Sequence, residues 1–179
     1  MSPGHRESRF EDLVRSTARD VETYVRNRLD SDSSLDIDDV VTDTYTIAWS
    51  KLSAIPPGFE LPWLYRVAHN RILNERSKAT RRRRLAALIR PSHAAPAAED
   101  EAVADLAIRD ALAMMSEPER ELLLLSAWEG LGNEQLAASL RITENAAAIR
   151  LSRAKQNFLS LLEMEDAKSK LTGETDTRE

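Results

Sequence analysis

The chain contains no cysteine, which excludes disulfides, thiolate metal sites, cysteine nucleophiles and thiol redox sensing, and fits a reducing cytosol. Glycine (5) and proline (7) are sparse and only 5% of residues are aromatic. That composition disfavours a turn-rich β-sandwich and leaves Leu, Ala, Val and Ile to supply most of a core. The three histidines, His5, His69 and His93, are scattered without a partner at ligand spacing, so no metal or other cofactor is expected. No apolar run approaches the roughly 18 residues needed to span a bilayer. The first residues are polar and charged rather than signal-like, so a soluble, cytoplasmic protein with no membrane insertion is expected. There is no triad, phosphate-binding glycine loop or helical Glu/His pairing, and no enzymatic activity is expected.

What is present is charge, at 31% of residues, distributed unevenly over 179 residues with a formal net charge of −5. Between positions 30 and 43 lie Asp30, Asp32, Asp36, Asp38, Asp39 and Asp43 with no basic residue. Between positions 66 and 90 the pattern reverses. Arg66, Arg71, Arg76, Lys78, the run Arg81 to Arg84, and Arg90 stand against the single acid Glu75. Charge runs are commonly no more than solvated faces, but an acidic segment followed by a basic one also suits two different partners. The negative total argues against a general nucleic-acid coat and would keep the free protein off bulk DNA.

Apolar residues recur at helical spacing almost throughout, and no alternating strand pattern occurs, so the predicted fold is all-α. Phe10, Leu13, Val14, Val21, Tyr24, Val25 and Leu29 predict a first helix over about 8–29. A second starts near Asp36 or Ile37, its apolar side formed by Ile37, Val40, Val41, Thr44, Tyr45, Ala48, Trp49 and Leu52. Pro56, Pro57 and Gly58 place a loop over 53–61. Pro62 suits the first position of a third helix, where its missing N–H is not needed. Residues 85–100 hold two prolines and many alanines without amphipathic pattern, and read as a linker. The predicted organisation is therefore two small helical domains, 1–84 and 101–163, joined by a flexible linker, with a polar tail at 164–179.

In the second half, Val103, Leu106, Ala107, Ala111 and Met114 predict another helix. Ser116 and Glu119 have capping-box spacing, with reciprocal bonds to each other's backbone N–H. Gly130 can end the following helix in a left-handed conformation. A short helix over about 134–140 and a turn at Arg141 and Ile142 come next, and Thr143 is a good N-cap for the last helix. Ala147, Leu151, Ala154, Phe158 and Leu161/Leu162 form its inward stripe, leaving Ala148, Ser152 and Lys155 on more exposed faces. Two helices joined by a tight turn, the second capped and basic, form a helix-turn-helix pattern suited to the major groove.

The residues then resemble a known family. Ser116-Glu117-Pro118-Glu119-Arg120, Glu129-Gly130-Leu131, Leu136-Ala137 and Arg150-Leu151-Ser152-Arg153-Ala154-Lys155 are similar to region 4 of the sigma-70 superfamily, extracytoplasmic-function (group IV) kind. The resemblance implies contact with the minus-thirty-five promoter element through Thr143, Ala148, Ile149, Arg150, Ser152 and Arg153. Where that family carries Gly-Thr-Val-Lys-Ser, this chain has Asn145-Ala146-Ala147-Ala148-Ile149, so upstream recognition is expected to be altered.

The run from Asp36 to Trp49 is similar to region 2.2 of the same family. It implies docking on core RNA polymerase, at the clamp of the largest subunit, through Asp38, Asp39, Thr42, Asp43, Tyr45 and Thr46. The helix-turn-helix half is expected at the flap of the second subunit. Trp63 to Asn74 is similar to regions 2.3 and 2.4, which implies capture and melting of the minus-ten element by Phe59, Arg66, Asn70, Arg71, Asn74 and Arg76. Chemically, arginines can follow phosphates and asparagines can read base edges. Trp63, at a helix start, is expected in the core. The resemblance further implies promoter DNA and an anti-sigma factor as partners. A stand-alone helix-turn-helix regulator and a degenerate sigma paralogue with weak initiation are the competing readings.

Overall fold

In the computed structural model, residues 3–29, 35–87 and 103–175 are described, and among them every regular element is helical. The elements are α1 (Pro3–Arg26), α2 (Ile37–Ser50), a 3-10 turn (Leu52–Ala54), α3 (Glu60–Ala87), α4 (Val103–Met114), α5 (Glu117–Ala127), α6 (Asn133–Leu140) and α7 (Glu144–Thr175). They divide into two compact units, one built on α1–α3 and the other chiefly on α4–α7.

In the first unit the apolar stripes of three helices meet. Val21, Tyr24 and Val25 of α1, Val40 and Ala48 of α2, and Leu64, Ala68 and Ile72 of α3 are buried. The Tyr24 and Tyr65 rings stack at 4.6 Å and 17°. The second helix starts at Ile37, within the predicted range, and Asp36 caps it, its carboxylate accepting from the Asp38 N–H at 2.9 Å. Two helix starts differ. The first helix starts at Pro3 rather than near residue 8, because its opening turn carries no apolar periodicity. The third starts at Glu60, so Pro62 is its third residue; the Trp63 N–H still reaches the Phe59 carbonyl at 3.0 Å. Pro62 breaks no bond there, since a helix's first N–H groups have no helical acceptor.

The second unit packs α7 against α4 and α5. Met115, Leu123 and Ala154 form a buried cluster with Leu112, Phe158 and Leu161 against it. Ala147 and Leu151 complete the predicted inward stripe of α7. The Ser116/Glu119 capping box does not form as predicted. The Ser116 hydroxyl donates to the Glu119 carboxylate at 2.6 Å, and no side chain caps the first N–H groups of α5. Gly130 ends α5 at φ +67, as its position predicted. The turn between α6 and α7 places Arg141 at φ 55, a conformation costing a side-chain-bearing residue roughly 1–2 kcal/mol, and is closed by the Ile142 N–H on the Ala137 carbonyl at 3.1 Å. Thr143 caps α7 through Oγ1, which accepts from the Ala146 N–H at 3.2 Å. The helix then continues to Thr175, through most of the stretch read as a polar tail.

Candidate nucleic-acid interface

The exposed side of α2 follows from its register. Burying Val40, Thr44, Tyr45 and Ala48 turns Asp38, Asp39, Thr42 and Thr46 to solvent. These four share one strip, since positions three and four apart stack on a helix. Two other residues assigned to this face by resemblance are engaged elsewhere. Tyr45 is buried, with its hydroxyl 2.8 Å from that of Thr17 and its ring edge-on to Phe10. Burial, partly offset by the Thr17 hydrogen bond, raises its phenol above the ordinary value. The apolar periodicity places Tyr45 on the inward side of this helix, and only the family resemblance assigns it to the docking face. Asp43 binds Arg71 of α3, Oδ2 to Nε at 2.5 Å. Trp49, predicted on the apolar side, is 36% exposed, with the Arg6 guanidinium 4.6 Å from its ring centroid.

Along α3, Arg66, Asn70 and Asn74 fall four residues apart, and Arg81 follows at the same phase. Asn70, Asn74 and Arg81 are exposed, while Arg66 is half-buried with its guanidinium 5.8 Å from the Trp63 ring, within cation–π range. Trp63 itself is buried, as expected. Phe59, half-buried, immediately precedes the helix at the end of an exposed Pro56–Gly58 stretch.

The remaining two minus-ten candidates are occupied by the fold. Arg71 is held between Asp43 and Glu75, and the two carboxylates raise its pKa. Lys78 and then Arg71 hold the Glu75 carboxyl below its usual range. Arg76 donates to the Arg28 carbonyl at 2.5 Å, joining α3 to the end of α1. The side chains of Arg82, Arg83 and Arg84 lie outside the described residues. Arg71–Asp43 and Arg76–Arg28 pair residues 28 and 48 positions apart, and local pattern carries no signal for such contacts.

In the second unit, Ile149, Arg150, Ser152 and Arg153 are exposed on α7, Thr143 sits at its N-terminus, and Ala148 is half-buried. An N-terminus with two cations about two turns further along presents N–H groups and positive charge outward, which suits phosphate contact. Ile149, 45% exposed, places an apolar side chain within that face.

These features define a two-unit helical protein with a helix-turn-helix and an acidic strip beside a polar-basic one. Residues 13–82 match the family model for Sigma-70 region 2, and residues 105–158 match the one for Sigma-70, region 4. The ECF RNA polymerase sigma factor SigL of Mycobacterium tuberculosis is 31% identical over 122 residues, covering 65% of this chain and 69% of that protein. Two solved structures share the fold. The sigma factor RpoE in complex with the anti-sigma factor NepR, from Bartonella quintana, superposes with a TM-score of 0.62 at 23% identity, covering 86% of this chain and 96% of that one. CnrH in complex with the cytosolic domain of CnrY gives 0.57 at 24% identity, covering 87% and 88%. The chain belongs to the extracytoplasmic-function sigma factors of the sigma-70 family, proteins of transcription initiation that bind DNA.

Proposed function

We propose that this chain binds core RNA polymerase and directs initiation at its own promoters without catalysing any reaction itself. The acidic strip of α2 docks on the clamp of the largest subunit, and the second unit engages the flap of the second subunit. The loop ending at Phe59, with Arg66, Asn70 and Asn74, captures and melts the minus-ten element, while α7 contacts the minus-thirty-five element. The supporting observation is the placement of Asp38, Asp39, Thr42 and Thr46 on one solvent strip with no apolar role in the unit, in a chain of this family. Opposite charge on the polymerase would speed encounter and set orientation. Flipping a base costs a few kcal/mol, which contacts in a pocket offset.

RpoE was determined in complex with the anti-sigma factor NepR, and CnrH with the cytosolic domain of CnrY, which supports an inhibitory protein partner for this chain in the cytoplasm. Among the described residues no helix is long and apolar enough to cross a membrane. The test is a titration of the labelled full chain with core polymerase. Wild type is expected to bind, and Asp38→Arg with Asp39→Arg to weaken binding at least about tenfold, as juxtaposed like charges cost several kcal/mol. Equal binding by both would exclude the docking assignment.

A further inference from the structure

Two arginines of α1 grip the segment that joins α2 to α3. Arg6 donates from Nη2 to the Trp49 carbonyl at 2.7 Å while its guanidinium covers the Trp49 ring. One turn later, Arg9 donates from Nη2 to the Ile55 carbonyl at 2.8 Å. Between these points the chain makes its 3-10 turn, closed by the Ala54 N–H on the Lys51 carbonyl at 2.8 Å, with Leu52 and Ile55 each 2% exposed. Beyond Ile55 the backbone loses its means of anchoring itself. Pro56 and Pro57 have no N–H, and Gly58 turns at φ +79. The next observed backbone bond is from the Phe59 N–H to the Pro56 carbonyl at 3.2 Å, which closes the loop on itself rather than onto the unit. Among the described residues, the Arg9 bond is a long-range polar attachment of the loop's entry to the helical core. It is charge-assisted and half-buried, which makes it stronger than a neutral one.

We propose that Arg9, supported by Arg6, is a positioning residue for minus-ten capture: it fixes the entry of the Pro56–Phe59 loop and so sets which base the loop accepts. Its guanidinium faces a carbonyl of its own chain, so it acts through the loop and not on phosphate. The proposal rests on the sigma-factor reading for its consequence, but the brace itself is a property of the free chain. A preorganised loop discriminates between bases because the wrong base must distort it, whereas a loose loop adapts to either.

Two measurements on the full chain test it. In the free protein, Arg9→Ala is expected to raise amide exchange at Ile55 and Phe59 about tenfold while leaving Val40 and Leu64 unchanged, the signature of local opening. In holoenzyme, on a promoter selected from a random library and its single-base minus-ten variants, Arg9→Ala is expected to reduce discrimination in open-complex formation about fivefold or more. Arg9→Lys retains much of the discrimination, since an ammonium can donate to the same carbonyl. Arg6→Ala, lying farther from the loop, gives a smaller loss in the same direction and keeps the test intact should Arg9→Ala fold poorly. Arg15→Ala, an exposed residue paired with Asp12 on the same helix, leaves discrimination unchanged. Unchanged exchange at Ile55 and Phe59, or a lower melting temperature with wild-type discrimination, overturns the positioning role. If the exchange rises as expected but wild type selects no base at all, the promoter reading falls, and the functional half of the proposal with it.

Discussion

The Thr17–Tyr45 pair offers a sharp test of how α2 is seated. Thr17 Oγ1 lies 2.6 Å from the Leu13 carbonyl and 2.8 Å from the Tyr45 hydroxyl. A carbonyl can only accept, so the single Thr17 proton goes to Leu13 and Tyr45 donates to Thr17. The two truncations are then unequal. Thr17→Val leaves a buried phenolic donor without its acceptor, at about 1–3 kcal/mol. Tyr45→Phe removes that donor and leaves the Leu13 bond of Thr17 in place, at about 0.5–1.5 kcal/mol. The double variant has no stranded donor, so its cost falls below the sum, with a coupling on the order of 1 kcal/mol. In a unit of this size each kcal/mol shifts the melting temperature by roughly 4–8 °C. Urea unfolding would be followed by tryptophan fluorescence in a Trp128→Phe background. Trp128 is 56% exposed in the second unit, so the signal then comes from Trp49 and Trp63 of the first. A larger cost for Tyr45→Phe than for Thr17→Val, or strictly additive costs, refutes this reasoning. So does a tenfold loss of polymerase affinity in Tyr45→Phe, which would return Tyr45 to the docking face.

The same phenol makes stability depend on alkaline pH. Burial raises its pKa above 10.0, so its contribution is complete below that value and is lost as pH rises through the higher folded value. Wild type should therefore lose stability relative to Tyr45→Phe only above about pH 10, and an equal decline in both proteins would exclude this cause. At the α2–α3 junction, Asp43→Asn removes one of the two carboxylates on Arg71. The pair is partly exposed, so a double-mutant cycle with Arg71→Ala is expected to give about 0.2–1 kcal/mol. Because that carboxylate is already occupied, Asp43→Asn should weaken polymerase binding less than Asp39→Asn does; the reverse order would place Asp43 in the interface. On α7, Ala148→Lys with Ile149→Ser restores hydrogen-bonding chemistry to the outward face. It is expected to tighten binding to upstream-element duplex and steepen the salt dependence by about 0.9 per added phosphate contact. Unchanged affinity and slope would mean that these two positions do not limit recognition.

The parts of this structure that were legible in the sequence are those set by local chemistry. Thr143 caps α7 because a short oxygen-bearing side chain there meets an otherwise unpaired N–H. Gly130 turns left-handed where α5 ends. Apolar periodicity located the stripes of α2 and α7, and with them the exposure of Asp38, Asp39, Arg150 and Arg153. Ser116 and Glu119 show the limit of spacing alone, since the side chains bond to each other and not to the backbone. The start of α1 was hidden because its first turn is held by Arg6 on the distant Trp49 and not by an apolar stripe. The basic cluster read as uniformly available to DNA, yet Arg71 and Arg76 are committed within the fold. Counting charges cannot separate a cation that braces two helices from one that faces solvent.

The proposed activity is promoter-specific initiation by core polymerase. The most direct measurement is run-off transcription by purified core polymerase on a random promoter library, with and without the full chain. The expected result is a set of transcripts that appears only when the chain is present, starts downstream of a shared minus-ten sequence, and is lost with Asp38→Arg and Asp39→Arg. No chain-dependent transcript from any template, while the chain alone binds duplex DNA specifically through α7, would contradict the account and favour a stand-alone regulator.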